Sequence, residues 1–202
     1  MNKCCIFIII YFGIITYPSF IGLFGVLEYN PIGIPIQFAM NGHLLLKTAS
    51  WVPFLFGVAG FLMSYIILIL DDVFKTKDNI KSPSWPKIFY GISLFSGQYY
   101  LSGLMDHELI SGIVMNVVLA VVGLVGFLLF DSSLSGLILA IATAVGGPLI
   151  EIFLINIPHL YQYTHQDFYG ICSWIPWVYF LGAPAVGNLA RKIHKDSLNK
   201  ES

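Results

Sequence analysis

Charge is what this sequence has least of. Only 10% of its 202 residues are Asp, Glu, Lys or Arg, against roughly a quarter in soluble domains. So few cannot cover a water-facing surface, which excludes an ordinary soluble fold. The 10 Lys and Arg against 11 Asp and Glu leave a formal charge of −1. There is thus no cationic excess to displace counterions from phosphates, and nucleic acid is excluded as a partner. Three cysteines, two of them adjacent at Cys4 and Cys5, supply neither a disulfide framework nor a zinc-ligand spacing. Catalytic signatures are missing as well: there is no G-x-S-x-G elbow, no P-loop and no G-x-G-x-x-G turn. His107-Glu108 opens like a zinc-protease helix, but Ser111 stands where the second histidine is needed. Asp106, His107 and Glu108 are better read as a polar turn, and His43, His107, His159, His165 and His194 all lie in or beside polar connectors. No enzyme activity, metal or cofactor is expected.

Apolar runs are what the sequence does have. A hydrocarbon core about 30 Å thick needs about 20 apolar residues at 1.5 Å each, and six stretches qualify: 4–27, 48–70, 88–105, 109–130, 132–157 and 168–190. They leave connectors too short for a second core, so residues 1–202 are expected to form one integral membrane domain. The runs lack the alternation of a barrel strand, and an open sheet would leave backbone groups unpaired in lipid. The expected fold class is therefore all-α, a bundle of six transmembrane helices.

Sidedness follows from the cations. With six spans, Lys3, Lys75, Lys77, Lys81, Lys87, Arg191, Lys192, Lys195 and Lys200 share one side and Lys47 stands alone on the other. Such asymmetry puts both termini in the cytosol. The first run is read as a span and not a cleaved signal: it is long for a signal core, contains Pro18, and its removal would spoil the nine-to-one split. Cys4 and Cys5 at its cytosolic edge are candidates for S-acylation.

Glu151 is the one ionisable residue clearly inside a span. Helical steps back from it meet Gly147, Thr143, Ala140 and Gly136, a stripe of small residues suited to close helix packing. Glu151 is therefore expected to point into the bundle, where a carboxyl is a functional candidate by default. The competing reading is an acid near the non-cytosolic interface, with the helix ending at Pro158. The third run is polar for its length, carrying Ser93, Ser96, Gln98, Tyr99, Tyr100 and Ser102, and should face protein or ligand. Pro148, Pro176 and Pro184 each remove a helical hydrogen bond and are expected to kink their helices. Kinks beside small faces would enclose a lipid-sized cavity, lined by Glu151, Gly147, Thr143, Gln98 and Tyr99; irregular packing explains the same residues. In the cavity reading, Glu151 is a neutral donor to a ligand hydroxyl.

Three ordered blocks resemble the insulin-induced gene (INSIG) family. Trp51-Val52-Pro53 is similar to its Trp-Val-Pro, and Phe130-Asp131-Ser132-Ser133-Leu134-Ser135-Gly136 to its Phe-Asp-Arg-Ser-Arg-Ser-Gly turn. The third block runs through Tyr161-Gln162-Tyr163-Thr164, Asp167-Phe168, Ser173-Trp174-Ile175-Pro176 and Gly187-Asn188-Leu189-Ala190-Arg191. Together they span 51–192.

The resemblance implies a non-catalytic six-helix regulatory protein of the endoplasmic reticulum membrane that responds to oxysterols. The implied partners are a sterol, diacylglycerol or similar lipid, and a sterol-sensing polytopic protein such as the SREBP escort protein or HMG-CoA reductase. Asp131 is the implied partner-binding residue, with helix capping as the competing reading. Neither arginine of the family's turn is present, and Glu151 falls where the family has Gln. The tail Asn199-Lys200-Glu201-Ser202 has no dilysine retrieval signal, so residence in the endoplasmic reticulum rests on the resemblance, and a bacterial source would mean the plasma membrane. The alternatives are a small membrane enzyme or lipid carrier using Glu151, and a ligand-free membrane chaperone.

Overall fold

The computed structural model describes Leu27–Tyr29, Pro35–Met40 and residues 43–199, with side chains from Ala49 onward. The first expected span, apart from Leu27, and the acylation candidates Cys4 and Cys5 lie outside these residues.

Five long helices form where the apolar runs predict them: α1 (Trp51–Val73), α3 (Trp85–His107), α4 (Gly112–Phe130), α5 (Leu134–Asn156) and α6 (Ile175–Leu198), with a single turn, α2 (Asp78–Lys81), between the first two. Their starts are set by local chemistry. The Ser133 hydroxyl accepts from the Gly136 amide at 3.0 Å and caps α5. Ser84 caps α3, with Pro86 in the first turn. Pro176 also sits in a first turn, that of α6, where no helical hydrogen bond is lost. It starts the helix, which corrects the expectation of a kink there. Pro148 and Pro184 lie inside α5 and α6 as expected.

α6 is the middle of the bundle. Every residue from Phe180 to Arg191 is buried, because α1, α3, α4 and α5 all pack on it. Its composition suits that place: Gly182, Ala183, Ala185, Gly187 and Ala190 let neighbouring backbones approach. The neighbours reciprocate with glycine. A Cβ on Gly126 of α4 would lie 2.4 Å from Leu181 Cδ1, and one on Gly147 of α5 would lie 2.5 Å from the Tyr179 ring. α1, α4 and α5 instead turn large apolar side chains outward, among them Phe54, Leu128 and Phe153. These three helices are long and apolar enough to cross a membrane.

The polar third run is explained by its position. α3 buries Gln98, Tyr99, Ser102 and Asp106 against protein, whereas Ser93 and Tyr100 of the same run are exposed, which corrects the expectation for those two. Gln98 Nε2 donates to the backbone carbonyls of Leu119 at 2.9 Å and Trp177 at 3.3 Å, tying α3 to α4 and α6.

Three expectations are amended. First, the connectors hold short strands, so the all-α description applies to the spans alone: β2 (Pro35–Met40) and β3 (His43–Ala49) form a hairpin, and β1 (Leu27–Tyr29) pairs antiparallel with β4 (Tyr161–Tyr163). Short polar-flanked segments outside lipid can pair with each other, which the exclusion of open sheets from the hydrocarbon does not forbid. Second, the last helix starts at Ile175 and not at 168, because Phe168 and Ile171 bridge across Tyr169 and Gly170, both at positive φ. Third, Asp71 does not begin a connector. α1 runs on to Val73 and buries it.

Candidate functional site

A cavity of about 230 Å³ lies between α1 and α5. Its α1 wall runs from Trp51 to Leu62 and is apolar; α5 contributes Gly147, Ile150, Glu151 and Leu154. Tyr161 and Tyr163 of β4, Tyr99 of α3 and Tyr179 of α6 complete it. The strand period of two explains why Tyr161 and Tyr163 are both buried while Gln162 between them is exposed. Glu151 is the only Asp, Glu, Lys or Arg in the lining among the described residues. It is 8% exposed, so it points into the bundle as its small-residue stripe predicts.

Phenols converge on the Glu151 carboxyl, that of Tyr161 among them. Tyr163 donates to Oε2 at 2.6 Å and Tyr179 to Oε1 at 2.5 Å. Three elements, α5, α6 and β4, thus converge on one carboxyl. The carboxyl acts as an acceptor toward the protein, where the sequence suggested a donor to ligand. Gly147 makes the geometry possible, since the Tyr179 ring occupies the space that a side chain at 147 would need. A polar end on an otherwise apolar cavity suits a lipid with a small uncharged head. Among the described residues, no lysine or arginine lines it to receive a phosphate or carboxylate.

Of the five expected ligand residues, Glu151, Gly147 and Tyr99 are brought together here. Thr143 and Gln98 are not part of the lining. Thr143 Oγ1 donates to backbone carbonyls, including that of Tyr179 at 3.2 Å, and so belongs to the α5–α6 contact. Gln98 is consumed in tying three helices. Tyr161, Tyr163 and Tyr179 were missed as site residues; the Tyr-x-Tyr alternation was the available signal for the first two.

A second polar cluster occupies the other end of the bundle. Arg191 of α6 is fully buried. Its Nε and Nη2 bind both oxygens of Asp71, at 2.7 and 2.8 Å, and its Nη1 binds Asp131 at 3.0 Å. Ser135 donates to Asp71 at 2.5 Å, while Ser133 donates through its hydroxyl and its amide to Asp131. Asp131 is therefore buried, with its oxygens turned inward. The exposed residues of its turn are Ser132 and Leu134, the positions that carry arginine in the family pattern. Arg191 is one of the nine cations expected on the cytosolic side, and the structure shows it buried in an ion cluster. The cluster puts the end of α1, the α4–α5 turn and the second half of α6 at one end of the bundle. Asp106, bound to His165 at 3.0 Å, puts the end of α3 and the β4–α6 connector together elsewhere.

No family model matches the chain. It is 30% identical over 156 residues to the insulin-induced gene 1 protein of Danio rerio, covering 77% of this chain and 61% of that protein. The corresponding values are 32% over 149 residues, 74% and 58% for the Gallus gallus protein. For the Homo sapiens protein they are 31% over 149 residues, 74% and 52%. The chain thus spans about three fifths of the length of the curated relatives it matches, or somewhat less. Among solved structures, the mycobacterial Insig homolog MvINS from Mycobacterium vanbaalenii matches with a TM-score of 0.76 and 14% identity, over 96% of this chain and 95% of that one. A cross-linked trimer of MvINS gives a TM-score of 0.75 at 16% identity, with the same coverage. These structures share the fold.

Proposed function

Since the chain belongs by sequence with the insulin-induced gene (INSIG) proteins, we propose that this multi-pass membrane protein is a non-catalytic regulator in sterol homeostasis that binds one uncharged lipid, a sterol or diacylglycerol, between α1 and α5. The observation that carries this reading is the apolar cavity ending in Glu151, Tyr163 and Tyr179. The ligand hydroxyl would join that network and its apolar body would lie along α1. Six spans, cytosolic termini and residence in the endoplasmic reticulum belong to the same proposal, supported by the cation asymmetry and the resemblance. So does a sterol-sensing polytopic partner. In that reading Asp131 contributes from inside, by holding the α4–α5 turn so that Ser132 and Leu134 face the partner.

Mass spectrometry of lipid co-purified in mild detergent tests the ligand. Glu151→Gln should retain lipid, because the amide still pairs with phenols. Glu151→Leu should lose it, since a buried hydroxyl without a partner costs about 1–3 kcal/mol. Equal retention by both variants would show that the ligand head lies elsewhere.

A further inference from the structure

We propose that the two-stranded ribbon β1–β4 is a strap whose hold on the bundle reports whether the cavity is occupied, an inference that rests on lipid binding as proposed above. The ribbon has three residue pairs, Leu27 with Tyr163, Glu28 with Gln162 and Tyr29 with Tyr161. A two-stranded ribbon of that length does not persist in water on its own. Among the described residues, β4 meets the helices through the buried rings of Tyr161, which lies 5.9 Å from the Trp51 ring between centroids, and Tyr163, and two carboxyls add polar ties. Glu151 accepts from Tyr163 within the strand. Asp106, with a side chain 6% exposed, binds the His165 ring two residues further on. The first contact is inside the cavity lining; the second is outside it.

The asymmetry gives the strap its response. Tyr161 and Tyr163 present their rings to the cavity, so a lipid packed there touches the strand directly. A ligand that contacts only the closed ribbon stabilises it by mass action, and the effect spreads over all three pairs because so short a ribbon opens as one unit. β1 then carries the change to the chain that precedes Leu27, the run read from the sequence as the first span.

Hydrogen exchange of the Leu27–Tyr29 and Tyr161–Tyr163 amides tests this, with full-length protein in phosphatidylcholine nanodiscs. Dioleoylglycerol and 25-hydroxycholesterol are the probes, and their binding is measured separately by mass spectrometry. A bound probe should slow exchange of the ribbon several-fold while α4 amides stay unchanged. Tyr163→Phe, which removes one hydroxyl and keeps the ring, should speed ribbon exchange about tenfold without a probe, as expected for a lost hydrogen bond to a carboxylate. It should also blunt the response to the probe. Asp106→Asn should speed basal exchange yet preserve the response. A bound probe that leaves ribbon exchange unchanged overturns the strap and leaves lipid binding standing. If neither probe binds, lipid binding fails, and the strap as an occupancy reporter fails with it. If the double variant Tyr161→Phe/Tyr163→Phe exchanges like the unaltered protein, the phenols do not tie the ribbon to Glu151 and the strap is overturned on its own.

Discussion

Arg191 and Asp71, 120 residues apart in the chain, meet in a two-pronged ion pair from which water is excluded, with bonds of 2.7 and 2.8 Å. Such a pair costs much to desolvate and costs more to break, because the surviving charge is left buried and unpaired. Arg191→Ala should therefore destabilise by about 3–5 kcal/mol, read from thermal unfolding in detergent. Arg191→Lys should recover little of this, since an ammonium cannot grip both oxygens of Asp71 and also reach Asp131 as the planar guanidinium does.

Gly136 and Asp131 are coupled by shape. A Cβ on Gly136 would lie 2.1 Å from Asp131 Oδ2, so Gly136→Ala must drive the carboxyl away from Arg191. Gly136→Ala and Asp131→Ala should each lower the melting temperature. In the double variant the two losses should add to much less than their sum, because the clash disappears with the carboxyl. Full additivity would show that alanine at 136 acts by another route.

Neighbouring glycines in α5 should behave in opposite ways. A side chain at Gly147 meets the Tyr179 ring at 2.5 Å, whereas nothing lies within 4 Å of a Cβ on Gly146. Gly147→Ala should displace Tyr179 from Glu151 and reduce co-purified lipid. Gly146→Ala should leave lipid unchanged and stabilise by about 0.5–1 kcal/mol through helix propensity. Matching lipid loss in both variants would disconnect Tyr179 from the ligand.

Topology is open to direct labelling. In a background with Cys4, Cys5 and Cys172 replaced by serine, single cysteines at Asn79 and Ser197 should react from the cytosolic side and one at Tyr169 from the opposite side. Labelling of Asn79 and Ser197 from different sides would end the six-span arrangement.

Hydrophobic length alone located α1, α4 and α5, the helices long and apolar enough to cross a membrane, because a bilayer core imposes a minimum apolar run on any helix that crosses it. α3 and α6 also overlap apolar runs, α6 starting later than its run does. The inward aim of Glu151 followed from helical period, since Gly147, Thr143 and Ala140 recur on its face. The polarity of α3 was legible as burial only for Gln98, Tyr99 and Ser102, since Ser93 and Tyr100 are exposed; the structure spends Gln98 on helix ties and brings Tyr99 to the cavity. What the sequence could not convey is which distant groups meet. Arg191 and Asp71 look like surface charges flanking apolar runs, and only the packing of α1 against α6 turns them inward. Tyr163 and Tyr179 are 12 and 28 residues from Glu151, on elements whose direction is set by the Phe168–Ile171 turn and the pairing of β4 with β1. Periodicity is a local property, readable from one segment at a time. The polar end of the cavity is a junction of three segments, decided by tertiary contact once buried polar groups had to find partners.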